Sequence, residues 1–195
     1  MKLVINLVLT VVIIGLVYVL VQSIREPISF KAERSRREQA VISKLMEIRK
    51  AQEAYRDITG EFASSFDALK DVLTNGRFMI VQVFGDPDDP NFTGKITYDT
   101  MYTPAIDSVR AMGINLDSLG YVPFGRGAKF DIDADTVTYQ STVVNVVEVG
   151  VKRSAFMGKY ADPRFSKYDR AYDPASIIKF GNMSAPNLSG NWERR

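Results

Sequence analysis

From Leu3 to Gln22 the chain carries no charge, LVINLVLTVVIIGLVYVLVQ. An α-helix needs about 20 such residues to cross a hydrocarbon core of about 30 Å, so this run predicts a transmembrane anchor over 1–24. A charged neck with one proline, IREPISFKAERSRRE, follows, and then the pattern changes. Val41, Leu45, Ile48 and Tyr55, with Ala51 or Gln52 between, recur at three- and four-residue steps, the stripe of an amphipathic helix. Neck and stalk together occupy 25–58. Pro27 lacks an amide hydrogen and disfavours α geometry at Glu26, so a kink or short break is expected between span and stalk. Lys44, Arg49, Lys50, Glu53 and Arg56 lie off the stripe, as on a solvated face.

Gly60 is placed to end the stalk, and Ser65 to cap a second helix with Asp67 in its first turn and Phe66, Leu69, Val72 and Leu73 on one face. After the turn signal Asn75-Gly76, the segment RFMIVQVFG predicts a strand, Phe78 to Phe84. The loop GDPDDPNFTG comes next, then a short strand around KITYDT, a helical turn between Pro104 and Met112, and a connector with Leu116 and Leu119. KFDIDAD alternates, and TVTYQSTVVNVVEVGV is the strongest β signal of the chain. Together they predict an antiparallel pair, Val137 to Val149 included, turning near Asp133 to Asp135. The expected fold class is α+β: an N-terminal transmembrane helix continuing into a stalk helix packed on a mainly antiparallel sheet. The globular domain is expected over 59–151.

The remaining 152–195 loses regular periodicity but holds Phe156, Tyr160, Phe165, Tyr168, Tyr172, Phe180 and Trp192. Disordered segments are poor in aromatics, so this basic, aromatic-rich extension is expected to lie across the sheet or on a partner. It carries nine Lys/Arg against four Asp/Glu, a net +5, whereas the whole chain is at +2. So small an overall charge gives no argument for a nucleic-acid partner.

Cysteine and histidine are both absent. That excludes disulfides, thiolate nucleophiles, histidine acid/base catalysis and the usual zinc sites. The loop with Asp86, Asp88, Asp89 and Asn91 offers hard oxygens of the kind calcium prefers, without the spacing or bidentate glutamate of an EF-hand. Its prolines and aspartates equally suit a rigid turn. Asp131, Asp133 and Asp135 share one strand face and read as its solvated side. Ser176-Ile-Ile-Lys179 matches the S-x-x-K of penicillin-interacting serine enzymes, with Ser189-Gly190-Asn191 echoing a second motif, but the serine sits in an irregular segment and no K-T-G strand follows. No cofactor and no enzymatic activity are expected.

The run RREQAVISKLMEIRKAQEAYRDITGEFASSFDALKDVL resembles the region after the membrane helix in type IV pilins and the pseudopilins of type II secretion. It shares with them a long amphipathic helix with Ala-Gln-Glu-Ala-Tyr, a Thr-Gly turn, then Phe-x-x-Leu. The resemblance covers roughly the first 73 residues. It implies a helix packed on an antiparallel sheet, assembly through N-terminal helices, and a domain outside the cytoplasm. Those families place a glycine before the mature helix and a glutamate five residues on; here Gly15 lies inside the run and Leu16 to Leu20 follow it. The resulting expectation is a non-polymerising structural subunit of a bacterial envelope, secretion or pilus-like assembly, single-pass in the inner membrane through an uncleaved signal anchor. Its partners would be the lipid bilayer and other membrane or envelope proteins, a second copy of itself among the candidates. Candidate contact residues are Asn6 and Gly15 on the span and Val41, Leu45, Ile48 and Tyr55 on the stalk; the stripe more simply packs on the chain's own domain. The alternative is a membrane-tethered ligand- or calcium-binding domain using the Asp-rich loop. The basic residues Arg25, Lys31, Arg34, Arg36 and Arg37 beyond the span favour a cytoplasmic domain by charge bias, the resemblance a periplasmic one, which is the side chosen.

Overall fold

The computed structural model describes residues 1–84 and 97–193. Its axis is one helix, α1, Lys2–Thr59. Gly60 ends it in the left-handed conformation, φ 86°, its N–H donating to the Arg56 carbonyl. The break expected at Pro27 does not occur: the helix runs through it. Proline inside a helix costs about 3 kcal/mol through the lost bond to the carbonyl four residues back and the ring clash. Here both sides of Pro27 are held by long-range contacts that favour continuity. Glu26 accepts a hydrogen bond from the Tyr168 hydroxyl, and Phe30 is fully buried.

Helix α2, Phe66–Asn75, starts at Ser65, whose hydroxyl accepts from the Ala68 N–H, and buries Leu69 and Leu73. Strands β1, Arg77–Phe84, and β2, Thr97–Pro104, form a separate antiparallel ribbon, followed by the short helix α3, Ala105–Ala111. The second sheet has the order β3-β4-β5: Asp131–Tyr139, Thr142–Lys152 and Ile177–Gly181, antiparallel throughout. The β3–β4 turn is at Gln140-Ser141, not at Asp133 to Asp135, which lie mid-strand. Both turn residues have positive φ, 48° and 67°, as a two-residue hairpin loop of the twist-compatible type demands. Gln-Ser is not the usual residue pair for that geometry, and the Asp-rich stretch carried the stronger turn composition.

One core joins these pieces. Phe30, Val41, Leu45, Ile48 and Ala51 from α1 pack with Leu69, Leu73, Leu119, Val147, Val149, Val151, Ile178 and Phe180. The stripe therefore faces the chain's own domain. Each fully buried Val, Leu or Ile contributes about 1.5–3 kcal/mol by leaving water. Between Arg153 and β5 the chain folds into helix α4, Arg153–Met157, and two 3-10 turns, Gly158–Ala161 and Pro163–Tyr168. Phe156, Tyr160, Phe165, Tyr172 and Phe180 are all buried. Of the two places open to the aromatic segment, it takes the one across the domain.

The helix serves as a ruler for the rest. Asn145 donates to the Gly60 carbonyl at 2.6 Å, Arg153 to Glu38 at 2.8 Å and Tyr168 to Glu26. Strand β4 and the segment after it thus descend the stalk toward the apolar run, and β5 returns. Gly181 pins that return: at φ 86° a Cβ would lie 1.9 Å from the Val147 carbonyl oxygen.

Gln52 clamps the α1–α2 connection. Fully buried, it donates to the Ala63 carbonyl and accepts from the Ala63 N–H, both at 2.9 Å. Replacing Gln52 by Ala strands both backbone groups, at about 1–3 kcal/mol for each. The expected result is a clear fall in the thermal midpoint followed by circular dichroism; an unchanged midpoint would show that the clamp is dispensable.

Candidate interaction surfaces

Three surfaces stand out, and they sit at different heights on α1. The first is the apolar run. Its best 18-residue window has mean hydropathy 2.9, none of it buried, long and apolar enough to cross a membrane. Asn6 and Gly15 are exposed on it, with nothing within 4 Å of a Cβ built at Gly15. The Thr10 hydroxyl donates to the Asn6 carbonyl at 2.9 Å, so this polar group is satisfied within the helix. Val41, Leu45 and Ile48, by contrast, are fully buried in the chain's own core and Tyr55 is half-buried against it. These stalk candidates are spent within the chain.

The second surface is the β1–β2 ribbon, whose base, where the Ala105 N–H donates to the Gly76 carbonyl, sits beside Ile58 at the far end of the stalk. Register places Met79 opposite Tyr102, Ile80 opposite Met101 and Val83 opposite Tyr98. All six are exposed, Met79, Tyr102 and Tyr98 by more than 60%. Because side chains alternate, apolar groups stand on both faces. Beyond Phe78, which packs on the core, neither face is covered among the described residues; a two-stranded ribbon so exposed is marginal in water, and its composition suits a protein neighbour.

The third is polar and lies at the lower end of the domain. A cleft of about 530 Å³ is lined by Ser29, Glu33, Arg37, Phe124, Arg126 and Lys159 among others. Arg36 and Arg37 each place a guanidinium 5.0 Å from the Phe124 ring centre. Phe124 and Arg126 hold φ at 62° and 51°, uncommon for such residues. Beside the cleft, Arg34 and Glu38 are buried at 7% and 8% exposure. Arg34 donates to Glu38 at 3.0 Å and to Asp169 at 2.5 Å, and Arg153 donates to the same Glu38 oxygen. Two cations and two carboxylates balance. Sequence periodicity missed Phe30, Arg34 and Glu38, although they continue the stripe in four-residue steps, because two of the three are charged.

Other candidates disperse. The Ser176 hydroxyl bonds the Asp173 carbonyl and Arg153, while the Lys179 ammonium meets Glu148 at 2.6 Å, so the S-x-x-K pair is not assembled as a nucleophile and base. Asp131, Asp133 and Asp135 are exposed on edge strand β3, where charge discourages strand addition. Asp86, Asp88, Asp89 and Asn91 lie outside the described residues. Arg49, expected on the solvated face, instead donates to Glu193 at 2.8 Å and to the Leu188 carbonyl.

No family of known proteins matches the sequence, and no curated protein or solved structure is significantly similar to the chain. The layout, a long N-terminal apolar helix followed by small antiparallel sheets, is pilin-like. The helix provides for a possible N-terminal membrane anchor.

The lower polar end has an acid dependence whose sign follows from its bonds. Asp169 is held below its ordinary value of 3.8, first by the Ala171 N–H and then by the Arg34 charge; Glu33 is held below 4.5, first by its bond from Arg37. Carboxyls more acidic when folded stabilise the protein above their unfolded pKa and lose that contribution as pH falls through the lower native value. The thermal midpoint is expected to drop on acidification below about pH 4, less steeply in Asp169→Asn. Equal slopes for the two proteins would remove Asp169 from the account.

Proposed function

We propose that the chain is a non-enzymatic, single-pass structural subunit of a bacterial envelope, secretion or pilus-like assembly, anchored in the inner membrane by Leu3 to Gln22. One observation carries this reading: a single unbroken helix supplies both the uncharged, wholly exposed run and the buried stripe of the domain. A cleaved or loosely tethered leader needs no such continuity. A subunit that must transmit position from the bilayer to a neighbour does.

Exposed Asn6 and Gly15 suit helix–helix contact within the bilayer, where small and amide side chains let helices approach and hydrogen-bond. The ribbon, with apolar groups on both faces at the far end of the stalk, suits contact with an envelope protein or a second copy. We assign the domain to the periplasm, a reading that the pilin-like layout supports and the charge bias of the basic neck opposes.

Two measurements test the proposal. The intact chain, crosslinked in membranes and then extracted in mild detergent, should yield discrete higher-mass species. Met79→Lys with Tyr102→Glu should abolish them while leaving the thermal midpoint close to that of the parent, since the opposite charges face each other across the ribbon and exposed substitutions typically change stability by about 0.5 kcal/mol or less. A lone monomer from the parent chain would refute the subunit reading. For sidedness, alkaline phosphatase fused after Arg195 should be active; activity only of a cytoplasmic reporter would put the domain on the other side.

A further inference from the structure

The charge of this protein is concentrated at one height. Residues 25–37 and 158–170, which pack together, hold nine Lys and Arg against four Asp and Glu, a net +5, while the whole chain is at +2. Everything else is therefore net negative. That height is set by contacts: Tyr168 hydrogen-bonds Glu26, and Phe165 stacks on Phe30 with ring centres 5.5 Å apart.

At 1.5 Å of rise per residue, Glu26 lies only about 6 Å beyond Gln22, the end of the apolar run. The polar headgroup layer extends about 5–7 Å beyond the hydrocarbon on each side of a bilayer. The turn Pro163–Tyr168 is thus not held off the membrane by a spacer; it starts at headgroup depth. Arg25 and Lys31 on α1 are exposed there, as are Arg164 and Lys167 on the turn. The last two lie over the rings of Phe165 and Tyr168, at 4.7 and 4.6 Å from the ring centres. Aromatic rings with a polar edge, flanked by cations, are what the membrane–water interface favours.

The acids at this height are engaged. Glu26 takes the Tyr168 hydroxyl, Glu33 takes Arg37, and Asp169 takes Arg34. Asp162 caps its own turn by accepting from the Arg164 N–H.

We propose that this underside of the domain is a docking surface for anionic phospholipid headgroups, with Arg25, Lys31, Arg164 and Lys167 facing the lipid phosphates. The inference rests on the reading of Leu3 to Gln22 as a bilayer span, and it adds what that span lacks, a contact that fixes the domain against one leaflet. Charge complementarity selects the occupant, since a zwitterionic surface gives a cluster of this sign little net attraction, whereas an anionic leaflet draws each basic residue within a Debye length.

The test uses the full chain reconstituted in phosphatidylcholine bilayers doped with spin-labelled phosphatidylglycerol or spin-labelled phosphatidylcholine. It reads how much of each labelled lipid the protein immobilises. The anionic lipid is expected to be favoured by at least about twofold at low ionic strength, with the preference collapsing at about 1 M salt. Arg164→Gln with Lys167→Gln should lose the preference; Lys70→Gln with Arg110→Gln, at the far end of the domain, should keep it. Both pairs are exposed, and circular dichroism verifies that each variant melts as the parent does. Equal immobilisation of both lipids by the parent would overturn the headgroup surface and leave the span standing. Absence of any immobilised lipid would overturn the span and this inference with it. A preference undiminished in Arg164→Gln with Lys167→Gln would overturn the assignment to this face.

Discussion

The buried face of α1 is the constraint on which the rest depends. Its apolar members, Phe30, Val41, Leu45, Ile48 and Ala51, supply the burial energy but little discrimination, because one turn of apolar helix resembles the next. Discrimination comes from Arg34, Glu38 and Gln52, the buried polar and charged side chains among the described residues. Each binds a different distant element: Asp169, Arg153 and the Ala63 backbone respectively. Sliding the domain by one turn, about 5.4 Å, would strip Gln52 of its backbone partner and leave the Arg34–Glu38 pair of α1 without Asp169 and Arg153, at several kcal/mol for buried ions that lose a partner. Breaking such a pair costs far more than the pair contributes, so these residues act chiefly as a lock on register.

This division explains what was legible in the sequence. Uniform signals survived: the uncharged run, the stripe from Val41, the Gly60 stop, the Ser65 cap and the β-branched strands all lie where local pattern puts them. Pro27 misled because helix propensity is a local quantity, whereas Phe30 and Glu26 are held by residues more than 120 positions away. The hairpin turn misled for a related reason. Gln140 and Ser141 adopt positive φ because β3 and β4 pair in a register that leaves two residues between them, and Asp133 and Asp135 are strand residues on an edge that benefits from charge.

The surfaces were harder to read than the fold. Counting apolar positions left Val41, Leu45 and Ile48 open to a partner although the chain's own core was the simpler reading, and the descent of β4 along the stalk decides for the core. The lower basic surface is invisible in linear order, since its halves, 25–37 and 158–170, meet only because the chain after β4 continues toward the apolar run. The C-terminal basic excess was expected in an extension lying across the sheet or on a partner; its 158–170 portion lies beside the neck, and the two like-charged segments tolerate each other because Glu33, Glu38 and Asp169 are interleaved between their guanidinium groups.

A rigid helix shared by span and domain also carries a mechanical consequence. The ribbon base beside Ile58 is roughly 50 Å along α1 from Gln22. If the apolar run spans a bilayer with the tilt of about 20° common to such helices, swinging that tilt about the membrane normal would carry the ribbon around a circle roughly 18 Å in radius. A contact surface that wanders so far would meet a fixed neighbour poorly. Pro27 could have absorbed the motion as a hinge, but Glu26 and Phe30 on either side of it are tied to the same 3-10 turn, so hinge and domain move as one. Contact between that turn, where the residues are cationic, and the leaflet beneath it selects which face of α1 leans toward the membrane; a fluid leaflet is the same in every in-plane direction, so the direction itself falls to helix–helix contact at the level of Asn6 and Gly15. Local charge at the bottom of the domain thereby bears on which side of the apolar ribbon at the top is turned away from the bilayer.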